Sequence, residues 1–184
     1  MNAIIDQMKY IITDIEYIID KGPDILLIVS VILLYLYKSF NYLTIYVCGY
    51  LIQELVVVVL KMTFKQPRPS ENLIQFNSLI HNNKITNPNR FGMPSGHTSR
   101  ALYSTIFIFF ALCNIKITIC YAIISIIIMY QRINSKQHSL FQVVIGGIIG
   151  IILGYYFYQF AFKNLQGISK MKKDDNAPME NGLV

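Results

Sequence analysis

The chain has 184 residues, of which 54% are hydrophobic and only 14% are charged. This composition is too apolar for an ordinary soluble domain of this length. The net charge of +6 comes from 16 Lys and Arg against 10 Asp and Glu. Because much of the basic charge lies in loops and in the C-terminal tail, it fits anionic lipid headgroups better than nucleic acid. The three cysteines lie in apolar runs, where buried thiols are commoner than disulfides or metal ligands. The composition therefore predicts a multi-pass membrane protein.

In the N-terminal segment, residues 1–21, isoleucines and a methionine recur at the period of a helix, and charged residues lie on the opposite face of that helix. This pattern predicts an amphipathic helix that lies in the membrane interface. A cleavable signal peptide is not expected, because the first twenty residues carry four acidic groups and one lysine instead of a basic start and an apolar core. Insertion is expected to depend on the internal helices.

Five apolar stretches follow, each near the roughly 20 residues that cross a bilayer. They cover residues 24–37, 42–60, 98–113, 115–130 and 140–162. They predict an all-α integral membrane bundle of about five transmembrane helices over residues 22–162. The remaining residues, 163–184, are polar and rich in lysine, and a segment with so few apolar residues is expected to be disordered.

Three polar segments stand at the ends of these predicted crossings. The first ends the second crossing, the second begins the third crossing, and the third joins the fourth crossing to the fifth. All three therefore face the same side of the membrane, which predicts one shared site. Their distinctive residues are Lys61, Arg68, Pro69, Pro94, Ser95, Gly96, His97, Arg132 and His138.

In this order and spacing, the three segments resemble the type 2 phosphatidic acid phosphatase (PAP2) superfamily of membrane lipid phosphatases. The family pattern is Lys, six residues and Arg-Pro, then Pro-Ser-Gly-His, then Arg, five residues and His. The resemblance covers about residues 42–162. It implies a helical bundle that hydrolyses a lipid phosphate or diphosphate without a metal or another cofactor, with the bilayer and the lipid substrate as its partners.

Fixed cations and backbone donors suit this chemistry, because a phosphoryl group in transfer carries charge on its equatorial oxygens. Lys61, Arg68 and Arg132 are the predicted phosphate-binding cations. The segment Pro94–Ser95–Gly96 is predicted to begin a helix whose free amides, together with the Ser95 hydroxyl, bind phosphate oxygens. Gly96 also allows the backbone to come close to the substrate.

The resemblance assigns the two histidines different roles. It implies that His138 is the nucleophile that forms a phosphohistidine, and that His97 protonates the leaving oxygen and then activates water. Helical spacing predicts that Gln142 lies on the same face as His138, where its amide oxygen accepts the other ring N–H. Most family members have aspartate at this position, whereas glutamine is usual in dolichyl diphosphatases and glucose-6-phosphatases.

Several further residues favour the dolichyl diphosphatase branch. Glu54, two helical turns before Lys61, resembles a glutamate of that branch and is a candidate supporting residue, with a hydrogen bond to a neighbouring helix as the equal alternative. The other matching features are Gln66 to Pro69, Gly92-Met93 and Gln142-Val143. Two positions depart from the branch pattern, since Gly96 and Gln131 replace serines.

The resemblance to this branch implies a polyprenyl substrate, dolichyl diphosphate, and recycling of the carrier for protein N-glycosylation in the endoplasmic reticulum. The lysines after residue 162 would lie on the opposite side from the site, which favours a cytosolic tail and a lumenal site. Two alternatives remain open: a broad phosphatase of phosphatidate-like lipids, and a catalytically silent member that binds lipids. The sequence does not indicate an oligomeric state.

Two structural expectations complete the prediction. Lys65, Arg90 and Arg100 are isolated cations near predicted helix ends, and such cations usually reach towards the membrane interface. Gly146, Gly150 and Gly154 follow each other at spacings of four, which predicts close packing of the last helix against a neighbour.

Overall fold

A computed structural model of the chain describes residues 13–82, 84 and 87–174, with side chains described as far as residue 164. These residues form helices, turns and loops, with no strand among them. The helices are α1 (described over 13–20), α2 (Gly22–Tyr37), α3 (Phe40–Phe64), α4 (Leu73–His81), α5 (Gly96–Leu112), α6 (Ile115–Asn134) and α7 (Leu140–Asp174), with a 3₁₀ turn at Pro88–Arg90.

Three of the described helices are long and apolar enough to cross a membrane. They are Phe40–Phe64, Ile115–Asn134 and the Leu140–Asn164 part of α7. The other two predicted crossings correspond to α2, with 16 residues, and α5, with 17, and both fall short of the roughly 20 residues that span a bilayer. The structure thus supports a multi-pass membrane protein with three candidate spans, fewer than the five expected.

The two ends of the chain are only partly described. Of the predicted amphipathic helix, residues 1–12 lie outside the described residues, and residues 13–20 are helical. At the other end, α7 continues past the predicted start of the tail at residue 163 to Asp174. Residues 175–184 of the predicted tail lie outside the described range.

Helix α5 lies at the centre of the bundle, where it contacts α2, α3, α6 and α7. The contact with α7 is close because glycines of α7 lie on the α5 backbone. A Cβ atom added at Gly146 would lie 2.4 Å from the Ser95 carbonyl oxygen, and one at Gly150 would lie 2.3 Å from that of Ser99. At Gly154 the corresponding distance, to the Tyr103 oxygen, is 2.7 Å. The predicted close packing of these glycines is confirmed.

A hydrogen-bonded aromatic core holds α3 against α5. The rings of Tyr46, Tyr103 and Phe107 pack together, with 5.0 Å between the Tyr46 and Phe107 centroids. The Tyr103 hydroxyl donates to the Tyr46 carbonyl oxygen at 2.9 Å. Nearer the end of α3, the Gln53 side chain donates to the Ser99 hydroxyl at 2.8 Å. These contacts fix the register of the two helices that carry the first and second polar segments.

Candidate active site

A cavity of about 710 Å³ opens at the end of the bundle where α3 ends and α5 begins. It brings together residues from all three polar segments, which are separated in sequence but were predicted to lie on one side of the membrane. Of the predicted site residues, the cavity is lined by Glu54, Lys61, Arg68, Gly96, His97, Arg132 and His138. Ser95 and Gln142 are buried beside it and do not line it.

His138 lies in the turn before α7 and is almost fully buried. Its backbone N–H donates to the Arg132 carbonyl oxygen at 3.1 Å. Its Nδ1 atom lies 2.7 Å from the Gly92 carbonyl oxygen. A carbonyl oxygen can only accept, so Nδ1 carries the proton, and in the neutral ring Nε2 has a free lone pair.

The surroundings of His138 favour this neutral form. Burial, followed by the positive charges of Lys61 and Arg68, lowers the pKa of His138 to about 3, since each disfavours a charged imidazolium. A ring that stays neutral near pH 7, with its tautomer set by Gly92, is suited to nucleophilic attack through Nε2.

Gln142 does not orient His138, so that prediction was wrong. Helix α7 begins at Leu140, and helical spacing therefore does not relate residue 138 to residue 142. Instead, the Gln142 side-chain oxygen accepts from the Ser139 N–H at 3.1 Å, and the Ser139 hydroxyl accepts from the Gln142 N–H at 3.3 Å. This reciprocal pair is a capping box, which the Ser-x-x-Gln pattern before an apolar run could have predicted. The Gln142 amide also donates to the Pro67 carbonyl oxygen at 3.0 Å.

The first two predicted cations are held by loop residues. Lys61 is 5% exposed, and its ammonium donates to the Phe91 carbonyl oxygen at 2.9 Å. Arg68 donates to the Gln137 side chain and to the Asn89 carbonyl oxygen. Burial, followed by the charge of Arg132, lowers the pKa of the Arg68 guanidinium, but an arginine remains protonated at neutral pH. Both cations therefore contribute positive charge to the cavity.

The start of α5 forms one wall of the cavity. The helix begins at Gly96, and its first amides have no acceptor within the helix. Gly96 and His97 line the cavity, so this wall can present backbone donors to an anion. The Ser95 hydroxyl instead shares a hydrogen bond of 3.0 Å with Thr98, and the Ser95 N–H donates to the Gln142 carbonyl oxygen at 3.1 Å.

Asp20, which was not predicted as a site residue, contacts two of the predicted groups. Its Oδ1 atom lies 3.3 Å from His97 Nε2 and also accepts a hydrogen bond from the Arg132 guanidinium. Burial alone would raise the pKa of the Asp20 carboxyl, but Arg132 and His97 outweigh it and lower the pKa below its ordinary value. The sequence offers one signal: a carboxylate at the end of an amphipathic helix, next to the Gly-Pro break.

Arg100 also lines the cavity, and its prediction as an interface anchor was wrong. Its guanidinium pairs with Glu54 at 3.2 Å and with Asp24 at 3.1 Å. This pairing gives the Glu54 carboxylate the partner that it needs, and it joins α3 to α5. It corresponds to the second alternative for Glu54, a contact with a neighbouring helix. Glu54 therefore supports the cavity wall through Arg100.

A sequence model of the PAP2 superfamily matches residues 42–166 of this chain. No curated protein and no solved structure gave a significant match. The matched range contains all three polar segments that meet at the cavity, and it covers more than half of the chain. The chain belongs to the PAP2 superfamily, with a phosphatase function of the lipid phosphate type.

Proposed function

We propose that this protein hydrolyses a lipid phosphate or diphosphate through a phosphohistidine formed on His138. The observation that carries the proposal is the neutral, Gly92-bound imidazole of His138, which shares one cavity with Lys61, Arg68 and Arg132. A buried nucleophile surrounded by fixed cations is the arrangement that favours phosphoryl transfer by positioning and by electrostatic stabilisation.

In the first step, His138 Nε2 attacks phosphorus while the bond from phosphorus to the leaving oxygen breaks. His97 in its protonated form, which the Asp20 carboxylate beside it and the bound phosphate anion favour, gives its proton to that oxygen, and the product lipid leaves. In the second step, His97 takes a proton from water, and the resulting hydroxide attacks the phosphohistidine. The bond from phosphorus to Nε2 breaks, inorganic phosphate forms, and the neutral His138 ring is restored.

The three cations have complementary parts in both steps. Arg68 and Arg132 can each grip two phosphoryl oxygens through the planar guanidinium, whereas Lys61 acts as a compact charge. The backbone amides at Gly96 and His97 supply neutral donors from the start of α5. Because these groups supply the charge stabilisation, we propose that the reaction proceeds without a metal ion.

Within this reaction, we propose a polyprenyl diphosphate such as dolichyl diphosphate as the substrate, with the monophosphate and phosphate as products. The support is the set of branch-like residues: Glu54, Gln66 to Pro69, Gly92-Met93 and Gln142. The proposal places the protein in the endoplasmic reticulum membrane with its site facing the lumen, where it would recycle the dolichol carrier for protein N-glycosylation.

Two other functions are favoured by particular residues. A broad phosphatase of phosphatidate-like monoesters is supported by Gly96 and Gln131, which depart from the dolichyl diphosphatase pattern. A catalytically silent, lipid-binding protein is supported by Asp20, because its carboxylate pairs with both His97 and Arg132. The intact set of cations and histidines argues against the silent protein.

The test is phosphate release by the purified protein in EDTA, from dolichyl diphosphate and from phosphatidate. We expect release that is greater from dolichyl diphosphate, is lost in His138→Ala, and is unchanged in Lys84→Ala, a matched control at an exposed loop position. Equal or greater release from phosphatidate would replace the dolichyl substrate with the broad one. Wild-type activity in His138→Ala would refute the phosphohistidine mechanism.

A further inference from the structure

A second, entirely apolar groove of about 230 Å³ lies beside the candidate active site. It runs between α6 on one side and the junction of α1 and α2 on the other. Its lining residues are six isoleucines and one glycine: Ile18, Ile19, Gly22, Ile25, Ile124, Ile127 and Ile128. A polar headgroup would find no hydrogen-bond partner among these side chains, so the groove suits a hydrocarbon.

The groove lies one helical turn from a phosphate-binding residue of the cavity. On α6, Ile124, Ile128 and Arg132 follow each other at spacings of four, so they share one face of the helix. Ile128 is one turn before Arg132, about 6 Å along the axis. On the opposite side, Ile19 directly precedes Asp20, whose carboxylate is bonded to Arg132. The groove and the cavity share no lining residue, but Asp20 and Arg132 of the cavity are each within one helical turn of a groove residue.

Close packing at Gly22 keeps the two walls of the groove together. A Cβ atom added at Gly22 would lie 2.7 Å from Cδ1 of Ile128, which is closer than carbon atoms normally approach. The absence of a side chain at residue 22 therefore lets the start of α2 approach α6 at this depth. Ile25 and Ile127 remain partly exposed, so the groove is open on its lipid-facing side.

We propose that this groove binds the hydrocarbon chain of the substrate next to its phosphoryl group, while the headgroup occupies the cavity. The inference rests on the proposed function, since it assumes that a lipid phosphate is bound at Lys61, Arg68 and Arg132. A lipid could slide into the open groove from the bilayer and carry its phosphate past Arg132 into the cavity without exposing its chain to water.

Lipid tails are as apolar as isoleucine side chains, so transfer of the chain from the bilayer into the groove changes its hydrophobic free energy little. The groove would act mainly by aligning the substrate. Truncation of one isoleucine is therefore a weak test, and steric filling of the groove is a strong one.

The same molecule offers a matched control groove, larger at about 440 Å³, between α3 and α7. One of its lining residues, Ile52, lies nine positions before Lys61 on α3, about 13 Å along the axis. The control groove is apolar and faces lipid, and none of its lining residues lines the cavity. The residues that line it are Thr44, Ile45, Cys48, Ile52, Tyr156, Phe157 and Phe160.

The kinetic test compares Ile127→Trp with Ile52→Trp in the full-length protein. The substrates are a long-chain lipid phosphate and a short water-soluble phosphate monoester such as p-nitrophenyl phosphate. We expect Ile127→Trp to lower kcat/KM for the long-chain substrate at least tenfold and to change it less than twofold for the soluble one. Ile52→Trp should change neither. An undiminished long-chain rate in Ile127→Trp, or an equal loss on both substrates, would overturn the inference.

A labelling test does not depend on turnover. A long-chain alkyl phosphate with a photoactivatable diazirine a few carbons from the phosphate is crosslinked to the wild-type protein and to His138→Ala, and the labelled residues are mapped by mass spectrometry. Labels on residues 18–25 or 124–128 would support the proposal, and labels concentrated on the α3–α7 groove would overturn it. If the wild-type protein labelled at the groove but hydrolysed neither substrate, the proposed function would fail while the chain-binding groove remained.

Discussion

Because Asp20 contacts Arg132 and His97, we expect that removal of the Asp20 charge strengthens ligand binding. Such an effect is uncommon for a residue of a binding site. A phosphate dianion that enters the cavity must displace the Asp20 carboxylate from Arg132 or bind beside a negative charge. The substitution Asp20→Asn keeps the shape of the side chain and removes its charge. We therefore expect Asp20→Asn to bind inorganic phosphate, or orthovanadate as its analogue, more tightly than the wild-type protein does.

The size of the effect follows from the geometry of the pair. A hydrogen bond between charged groups contributes about 1.5–3 kcal/mol, but the Asp20 side chain is 41% exposed, and solvent screening reduces the value of such a pair. About 1–2 kcal/mol then remains, which corresponds to roughly a five- to thirtyfold change in an equilibrium constant. The dissociation constant for phosphate should fall by that factor.

The assay is isothermal titration of the purified protein with orthovanadate, with inhibition of turnover as a second readout. Asp14→Asn is the matched control, because it makes the same change of charge on the same helix at an exposed position that does not line the cavity. The reasoning would be refuted if Asp20→Asn bound vanadate no more tightly than Asp14→Asn did. Weaker binding in Asp20→Asn would mean that the carboxylate holds Arg132 and His97 in the geometry that the ligand needs.

Two further predictions concern stability. Gly150→Ala should lower the thermal unfolding temperature more than Gly147→Ala, because its new Cβ would meet the Ser99 backbone oxygen at 2.3 Å, and such overpacking costs about 1–3 kcal/mol. At Gly147 the nearest atom, at 3.0 Å, is the end of the flexible Leu102 side chain, and equal melting of both variants would contradict the packing argument. The second concerns pH: His138 has a pKa of about 3 in the folded protein and about 6.5 when unfolded. The unfolded state therefore binds more protons than the folded state between these values. The contribution of the neutral His138 ring to stability is complete above about pH 6.5 and is lost as the pH falls towards about 3. Between pH 7 and pH 4.5, the thermal unfolding temperature should fall less in His138→Gln than in the wild type. Equal falls in the two proteins would contradict this prediction.

The residues of the cavity that could be predicted from sequence are those whose position depends on helix ends. Lys61, Arg68, His97, Arg132 and His138 stand at the ends of apolar stretches, and the number of crossings between them places these ends on one side of the membrane. No contact between distant side chains was needed for that prediction. The structure brings these residues together at one cavity, although two of the five expected crossings are too short to count as spans.

The residues that were missed depend on contacts between distant parts of the chain. Asp20 and Arg132 are 112 residues apart, and no periodicity or motif links them. In the sequence, Arg100 is an isolated cation of α5 that belongs to no motif. Its partners Asp24 and Glu54 come close to it only because α2 and α3 pack against α5. Gln142 was misjudged for a local reason, because helical spacing was applied across the start of α7.

The packing of α5 and α7 connects the two halves of the site. Residues 95, 99 and 103 of one segment meet residues 146, 150 and 154 of the other in the same order, so the two helices run parallel. Both helices consequently begin at the cavity, one at the second polar segment and the other at the third. Each helix start adds positive potential to that of the cations, because helix dipoles place partial positive charge there.

A parallel pair also requires a helix that returns the chain between them, and α6 does this with Arg132 near its end. The order of the polar segments along the chain follows from this arrangement. His97 lies at the start of α5, and α6 returns the chain to the cavity with Arg132 near its end. Helix α7 then begins just after His138. The glycines of α7 set how closely the two starts approach, and the Ser95 N–H bonded to the Gln142 carbonyl oxygen joins them directly. A substitution that separates α5 from α7, such as Gly146→Leu, should therefore impair binding of orthovanadate as well as stability, although residue 146 does not line the cavity.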